Sequence, residues 1–180
     1  MRRIGAVFRA EDGARTALDP AGLLQEAATI VRTEAARKEI SLRVVAGYLP
    51  QILADQSQLR QCILSLLSNS FHAIEAGDHD RREVVLRADL DKPGWVRISI
   101  SDSGVGIDSA NVERLFDPLC AGNKTLARVG TGLLVARSIV ESHGGKIWAE
   151  SSTEGAAVLS FTLPVARTRQ SKRLRDRQSS

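Results

Sequence analysis

Apolar residues recur at helical spacing in three stretches of this chain. Asp19-Pro20 reads as an N-cap followed by proline in the first turn, and Leu23, Ala27, Ile30, Val31 and Ala35 share one face, which predicts a helix over about 20–38. Gly47 and Pro50 then break the pattern. Asp55 caps a second, strongly periodic helix over about 56–75, whose apolar face is Leu59, Ile63, Leu66, Leu67 and Ile74 and which ends before Gly77. A third opens at Gly130-Thr131-Gly132, runs to about Ser142 and stops at Gly144-Gly145. Between these lie a short helix around 111–116 and an irregular stretch over 118–129.

Strict alternation marks the strands. Ile40-Ser41-Leu42-Arg43-Val44 reads as half-buried, and so do Val84-Val85-Leu86-Arg87-Ala88 and Trp95-Val96-Arg97-Ile98-Ser99-Ile100. The turn Asp91-Lys92-Pro93-Gly94 joins the last two as a hairpin. Two more strands at about 146–150 and 156–163 close the chain's ordered part. Interspersed helices and hairpin-ordered strands predict an α+β two-layer sandwich, a mixed β-sheet covered on one face by three helices.

Composition changes little in this picture. The chain has 180 residues and is 43% hydrophobic, enough for one domain with a real core. No stretch approaches the roughly 20 consecutive apolar residues of a membrane span, and Arg2-Arg3 leads into no apolar signal core, which predicts a cytoplasmic chain without a membrane segment. Cys62 and Cys120 lack metal-ligand or CxxC spacing and read as free thiols. The pI of 9.5 suggests nucleic acid, but its source is local. Arg167, Arg169, Lys172, Arg173, Arg175 and Arg177 against Asp176 give residues 165–180 a net charge of +5, which leaves −1 for residues 1–164 of a chain whose total is +4. The basicity belongs to a polar tail without aromatic interleaving, and no nucleic-acid partner is expected.

Candidate chemistry meets core elements in three places. On the second helix Ser65, Asn69 and His72 form a polar stripe beside the apolar face, and the Asn69 amide oxygen suits Mg²⁺, a hard ion held by few protein oxygens; a wet helix face is the plainer reading. The strand Ile98-Ser99-Ile100-Ser101 runs into Asp102-Ser103-Gly104-Val105-Gly106-Ile107, where a strand-end carboxylate can accept from a purine amino group and two glycines admit a flat ligand. A simple Asp-Ser-Gly turn would look the same. Gly130-Thr131-Gly132 offers free N–H groups and a positive dipole end to an anion, with Lys124 and Arg128 nearby.

In order, these pieces resemble the GHKL (Bergerat-fold) ATPase/kinase superfamily, and within it the histidine-kinase catalytic domain. Gln61 to Ser70 is similar to its N box, Asp102 to Ile107 to its G1 box and Leu115-Phe116-Asp117-Pro118 to its F box. Gly130-Thr131-Gly132-Leu133 with Arg137 to Gly145 is similar to the G2 box and its helix. The likeness covers about 17–164; residues 1–16 resemble only the end of a dimerisation helix and linker, and 165–180 are the basic tail.

The resemblance implies ATP and Mg²⁺ as ligands. Asp102 would read the adenine amino group, with Gly104, Gly106 and Ile107 lining the base. Asn69 would hold the metal, with His72 and Ala73 on the same helix wall. Phe116 would anchor a lid over 118–129, and Lys124 with the amides of Gly130, Thr131 and Gly132, followed by Leu133, would meet the phosphates. His143 would cap its helix.

Three positions depart from the family pattern. The gyrase, MutL and Hsp90-like ATPases place a glutamate base where this chain has Ser65, and histidine kinases place asparagine there. Arg128 replaces a glycine of the G2 box, and Val158 is read as standing where a threonine helps bind adenine.

The function implied is transfer of the ATP γ-phosphate to a histidine on a dimerisation domain, in the same parent protein or another chain, with a response regulator downstream. His72, His79 and His143 all fall inside the catalytic fold, so no acceptor is expected in this chain. The alternatives are a degenerate nucleotide-binding interaction module without phosphotransfer, and, less well fitted by the long lid, an anti-sigma-factor-like serine kinase.

Overall fold

The computed structural model describes residues 15–78, 80–107, 115–116, 130–151 and 156–166. Strand β1 (Thr16–Leu18) precedes helix α1 (Pro20–Arg37), strands β2 (Ser41–Ala46) and β3 (Ile52–Ala54), and helix α2 (Gln56–Glu75). Strands β4 (Glu83–Leu90) and β5 (Trp95–Asp102), helix α3 (Gly130–Ser142), and strands β6 (Lys146–Ser151) and β7 (Ala157–Pro164) complete the order.

The main sheet has five strands in the order β2-β4-β5-β7-β6. β2 runs parallel to β4 and every other neighbour is antiparallel, which makes the sheet mixed as the interspersed helices and hairpin-ordered strands predict. One face of each central strand is buried. Val96, Ile98, Ile100 and Asp102 of β5 lie inward, as do Ala157, Leu159, Phe161 and Leu163 paired opposite them on β7. Against this face pack Leu23, Leu24 and Ala27 of α1, Leu59, Ile63, Leu66, Leu67 and Phe71 of α2, and Leu133, Ala136 and Val140 of α3. The result is an α+β sandwich of three helices on a mixed sheet.

Local chemistry sets the helix boundaries. Asp19 accepts from the Ala21 and Gly22 N–H groups at 3.2 and 3.1 Å, and Pro20 occupies the first turn, where its missing N–H costs nothing. Asp55 accepts from the Gln58 N–H at 3.0 Å and the Ser57 hydroxyl at 2.7 Å, which holds its carboxyl below the usual carboxylate range. The α1–α2 seam carries Arg60–Glu26 and Lys38–Glu75 pairs at 2.6 and 2.7 Å.

β1 and β3 pair antiparallel as a separate two-stranded ribbon that the hydrophobic pattern does not announce. Each has only three residues, too few for alternation to register. The short helix expected around 111–116 falls largely outside the described residues; Leu115 and Phe116 lie in a turn and are buried.

After α1 the chain turns through Glu39, a non-glycine residue at φ +55°, while the Ile40 N–H donates back to the Ala35 carbonyl at 2.8 Å. That left-handed cap position suits glycine. Glu39 is exposed, so Glu39→Gly should stabilise the fold by up to about 1 kcal/mol, a rise of roughly 2–4 °C in the thermal midpoint. A lower midpoint in differential scanning calorimetry would contradict this reading of the turn.

Candidate functional site: a buried carboxylate between a sheet and two helices

The last residue of β5 puts a carboxylate into the apolar layer. Asp102 is 3% exposed, and burial raises its pKa to about 6, opposed by the Gly104 N–H and the Ser70 hydroxyl. The Gly104 N–H donates to Oδ1 at 3.0 Å. Beside the carboxylate lies Ser70 of α2, itself 1% exposed. Its hydroxyl is near enough to favour the charged form, yet Oγ has no hydrogen bond of standard geometry among the described residues. A buried acid and an orphaned hydroxyl side by side suit a polar ligand edge better than they suit a core.

The backbone after Asp102 explains how the carboxylate comes to lie there. The Val105 N–H donates to the Ala73 carbonyl at 3.2 Å, which draws the loop onto α2. A Cβ at Gly104 would stand 2.6 Å from that carbonyl oxygen and 2.7 Å from the Ile74 nitrogen, closer than any side chain tolerates. Gly106 has φ +70°, the left-handed region in which glycine turns without strain. Ile107 follows, half-buried against the core. Outside the turn, the Ser103 hydroxyl accepts from the Glu83 N–H and donates to the Arg81 carbonyl, fastening the loop to the start of β4.

On α2 the polar stripe follows the predicted spacing. Asn69 and Ala73 are half-buried and His72 is exposed. Ser65 faces the start of α3, where a Cβ on Gly132 would lie 3.6 Å from its own Cβ. The G2 segment thus forms the first turn of α3 beside the N-box helix, with Leu133 buried behind it. Phe116 is buried in the core, and its carbonyl accepts from Arg137 of α3 at 3.0 Å, which ties the F-box position to the G2 helix. Lys124, Arg128 and Asp117 lie outside the described residues, as does His79.

His143 works as a strut. Its Nε2 accepts from the Asp55 N–H at 3.0 Å, which places the ring proton on Nδ1, 2.8 Å from the Ile139 carbonyl that accepts it. The end of α3 is thereby bound to the N-cap of α2.

One expectation is corrected. Val158 pairs with Ser101, not Asp102, and points to the opposite face of the sheet. Paired residues of an antiparallel ladder share a face, so the neighbour of Asp102 on β7 is Ala157. The polar residue missed from sequence is Ser70. A hydroxyl three and four residues from the core-facing Leu67 and Leu66 was the available signal.

A family model covers this site. Residues 54–167 match the family described as "Histidine kinase-, DNA gyrase B-, and HSP90-like ATPase". The chain belongs to that family. Among curated members, the adaptive-response sensory kinase SasA of Synechococcus sp. is 38% identical over 120 residues, and the sensor protein FixL of Bradyrhizobium diazoefficiens 32% over 145. These matches take in 65% and 80% of this chain but only 30% and 28% of those proteins, so the chain spans under a third of their length. Among solved structures, full-length ShkA in complex with AMPPNP superposes with TM-score 0.73 at 28% identity, covering 88% of this chain and 33% of that one. The catalytic domain of histidine kinase ThkA gives 0.70 at 24% identity over 86% of this chain and 99% of its own length, a likeness of fold.

For this ATPase-family member the sign of the Asp102 shift matters. The unfolded chain holds the proton up to about pH 4 and the folded one up to about 6, so the native state is favoured below pH 4 and loses that advantage as pH rises through 6. At pH 7.5 the ionised carboxylate costs the nucleotide-free fold on the order of 2–3 kcal/mol. Asp102→Asn should therefore raise the unfolding midpoint at pH 7.5 and change it little at pH 4. Chemical denaturation that shows a lower midpoint at pH 7.5 would contradict the burial cost.

Proposed function

We propose that this chain is the phosphoryl-donating domain of a cytoplasmic sensor histidine kinase, binding ATP and passing its γ-phosphate to a histidine on a dimerisation domain. Asp102 carries the reading. A carboxylate raised by burial, with one oxygen taken by the Gly104 N–H, is suited to accept from a single exocyclic amino group, and the apolar layer around it suits a flat base. Gly104, Gly106, Ile107 and Ala73 line the base.

The phosphates run toward α3. The backbone N–H groups of Gly130, Thr131 and Gly132 stand at the start of a thirteen-residue helix, where orphan donors and the dipole favour anions. Leu133 backs them, while Lys124 would contribute charge and Phe116 would anchor a lid, the roles that the family resemblance implies. His72, exposed on the same wall, faces the triphosphate path.

Asn69 offers an amide oxygen to Mg²⁺, which supplies neutralisation of the phosphate charge. Among the described residues no cluster of three His, Cys, Asp or Glu side chains is placed to hold a metal by itself, so nucleotide oxygens and water would provide the remaining ligands.

Ser65 sits beside Gly132, midway along α2, and has no basicity near neutral pH to activate water. Positioning and electrostatics then favour a docked nucleophile over hydrolysis. The acceptor imidazole nitrogen forms the bond to phosphorus while the β–γ bridging oxygen leaves with its electron pair on ADP. A response regulator would take the phosphoryl group next.

Mixing the full chain with Mg-ATP and a histidine-bearing dimerisation domain should place acid-labile phosphohistidine on that domain and none on this chain alone. Asn69→Ala should slow transfer roughly 100-fold. Tight ATP binding with no transfer to any acceptor domain would contradict the kinase reading and leave an interaction module.

A further inference from the structure

Two hydroxyl positions can serve a buried carboxylate at the end of β5: one across the strand pair and one on the covering helix. The first is vacant of polar atoms, since Ala157 on β7 and Val84 on β4 are the residues paired with Asp102. The second is Ser70. It is 1% exposed, its Oγ makes no hydrogen bond of standard geometry among the described residues, and it adjoins the buried Asp102. Among the described residues no other element brings a charged or hydroxyl group to Asp102, whose further polar contact there is the Gly104 N–H on Oδ1.

A buried hydroxyl that falls short of a full hydrogen bond is a standing cost, because it has given up water for a weak contact. It is repaid when a ligand amino group fixes the carboxylate in its charged form. The hydroxyl then has a strong acceptor within reach, and hydrogen bonds to a charged group are shorter and stronger than neutral ones.

We propose that Ser70 is a specificity-determining positioning residue of the purine pocket, donating to the Asp102 carboxylate when a 6-aminopurine is bound. This rests on the nucleotide-binding reading of Asp102. With the Gly104 N–H on Oδ1 and the Ser70 hydroxyl turned to the same carboxylate, the group is held ionised and aimed. It accepts the amino N–H of adenine, whereas a 6-oxo purine would set an acceptor against it. Ser70 thus supplies, from the helix side, the hydroxyl that the sheet side lacks at Ala157.

The test measures calorimetric affinity of the full chain for ADP and for inosine diphosphate, with Mg²⁺, in wild type, Ser70→Ala and Asp102→Asn. Wild type should prefer ADP. Ser70→Ala should cut that preference about tenfold, with the loss falling on ADP, while the midpoint of the nucleotide-free chain stays within about 2 °C of wild type. An unchanged preference in Ser70→Ala would overturn the proposal. So would equal loss of both nucleotides with a lower midpoint, since Ser70 would then be a packing residue. Asp102→Asn separates the two levels: if it abolishes the preference and Ser70→Ala does not, only the role of Ser70 falls. If it too leaves the preference intact, the purine pocket falls with it.

Discussion

The close approach of Gly104 to the Ala73–Ile74 turn of α2 is the constraint on which the pocket depends. The Val105 N–H holds the Ala73 carbonyl, and the absence of a side chain at Gly104 lets strand end and helix touch. Asp102 is carried inward as a result, into the apolar layer between the sheet and the helices. A larger residue at 104 would push the loop off the helix and let water reach the carboxylate. Burial, the raised pKa and the orphaned Ser70 hydroxyl therefore follow from one backbone contact.

That geometry stores cost in the nucleotide-free protein. A carboxylate and a hydroxyl are desolvated side by side with one N–H between them. Apolar packing of the surrounding helices and strands holds the arrangement in place, and the His143 strut from α3 to the N-cap of α2 keeps these two helices in register. Stability given up at a site is commonly recovered on binding. Cys62, by contrast, shows burial without function: its thiol is pushed up to about 12 by the same apolar surroundings, and it stays inert.

Much of this was legible in sequence because the signals were strong and local. Asp19-Pro20 and Asp55 cap their helices as read, the Asp91–Gly94 turn joins β4 and β5, and Asp102 ends a strand. What was not legible required pairing between distant strands. Val158 and Ala157 differ by one residue, and only the register of β5 with β7 shows which of them shares a face with Asp102. The β1–β3 ribbon is set by tertiary contact across three residues a side. Ser70, a serine among leucines, reads in sequence as a tolerated polar residue until its neighbour is seen to be a buried acid.

Carboxyl-carbon NMR of Asp102 in the free chain and with saturating Mg-ADP tests the central claim most directly. Desolvation predicts titration near 6 in the free protein, and capture of an amino group should drive it below the ordinary carboxylate value of about 3.8. Titration near 4 in both states would mean that Asp102 stands in water and that no purine pocket is built around it.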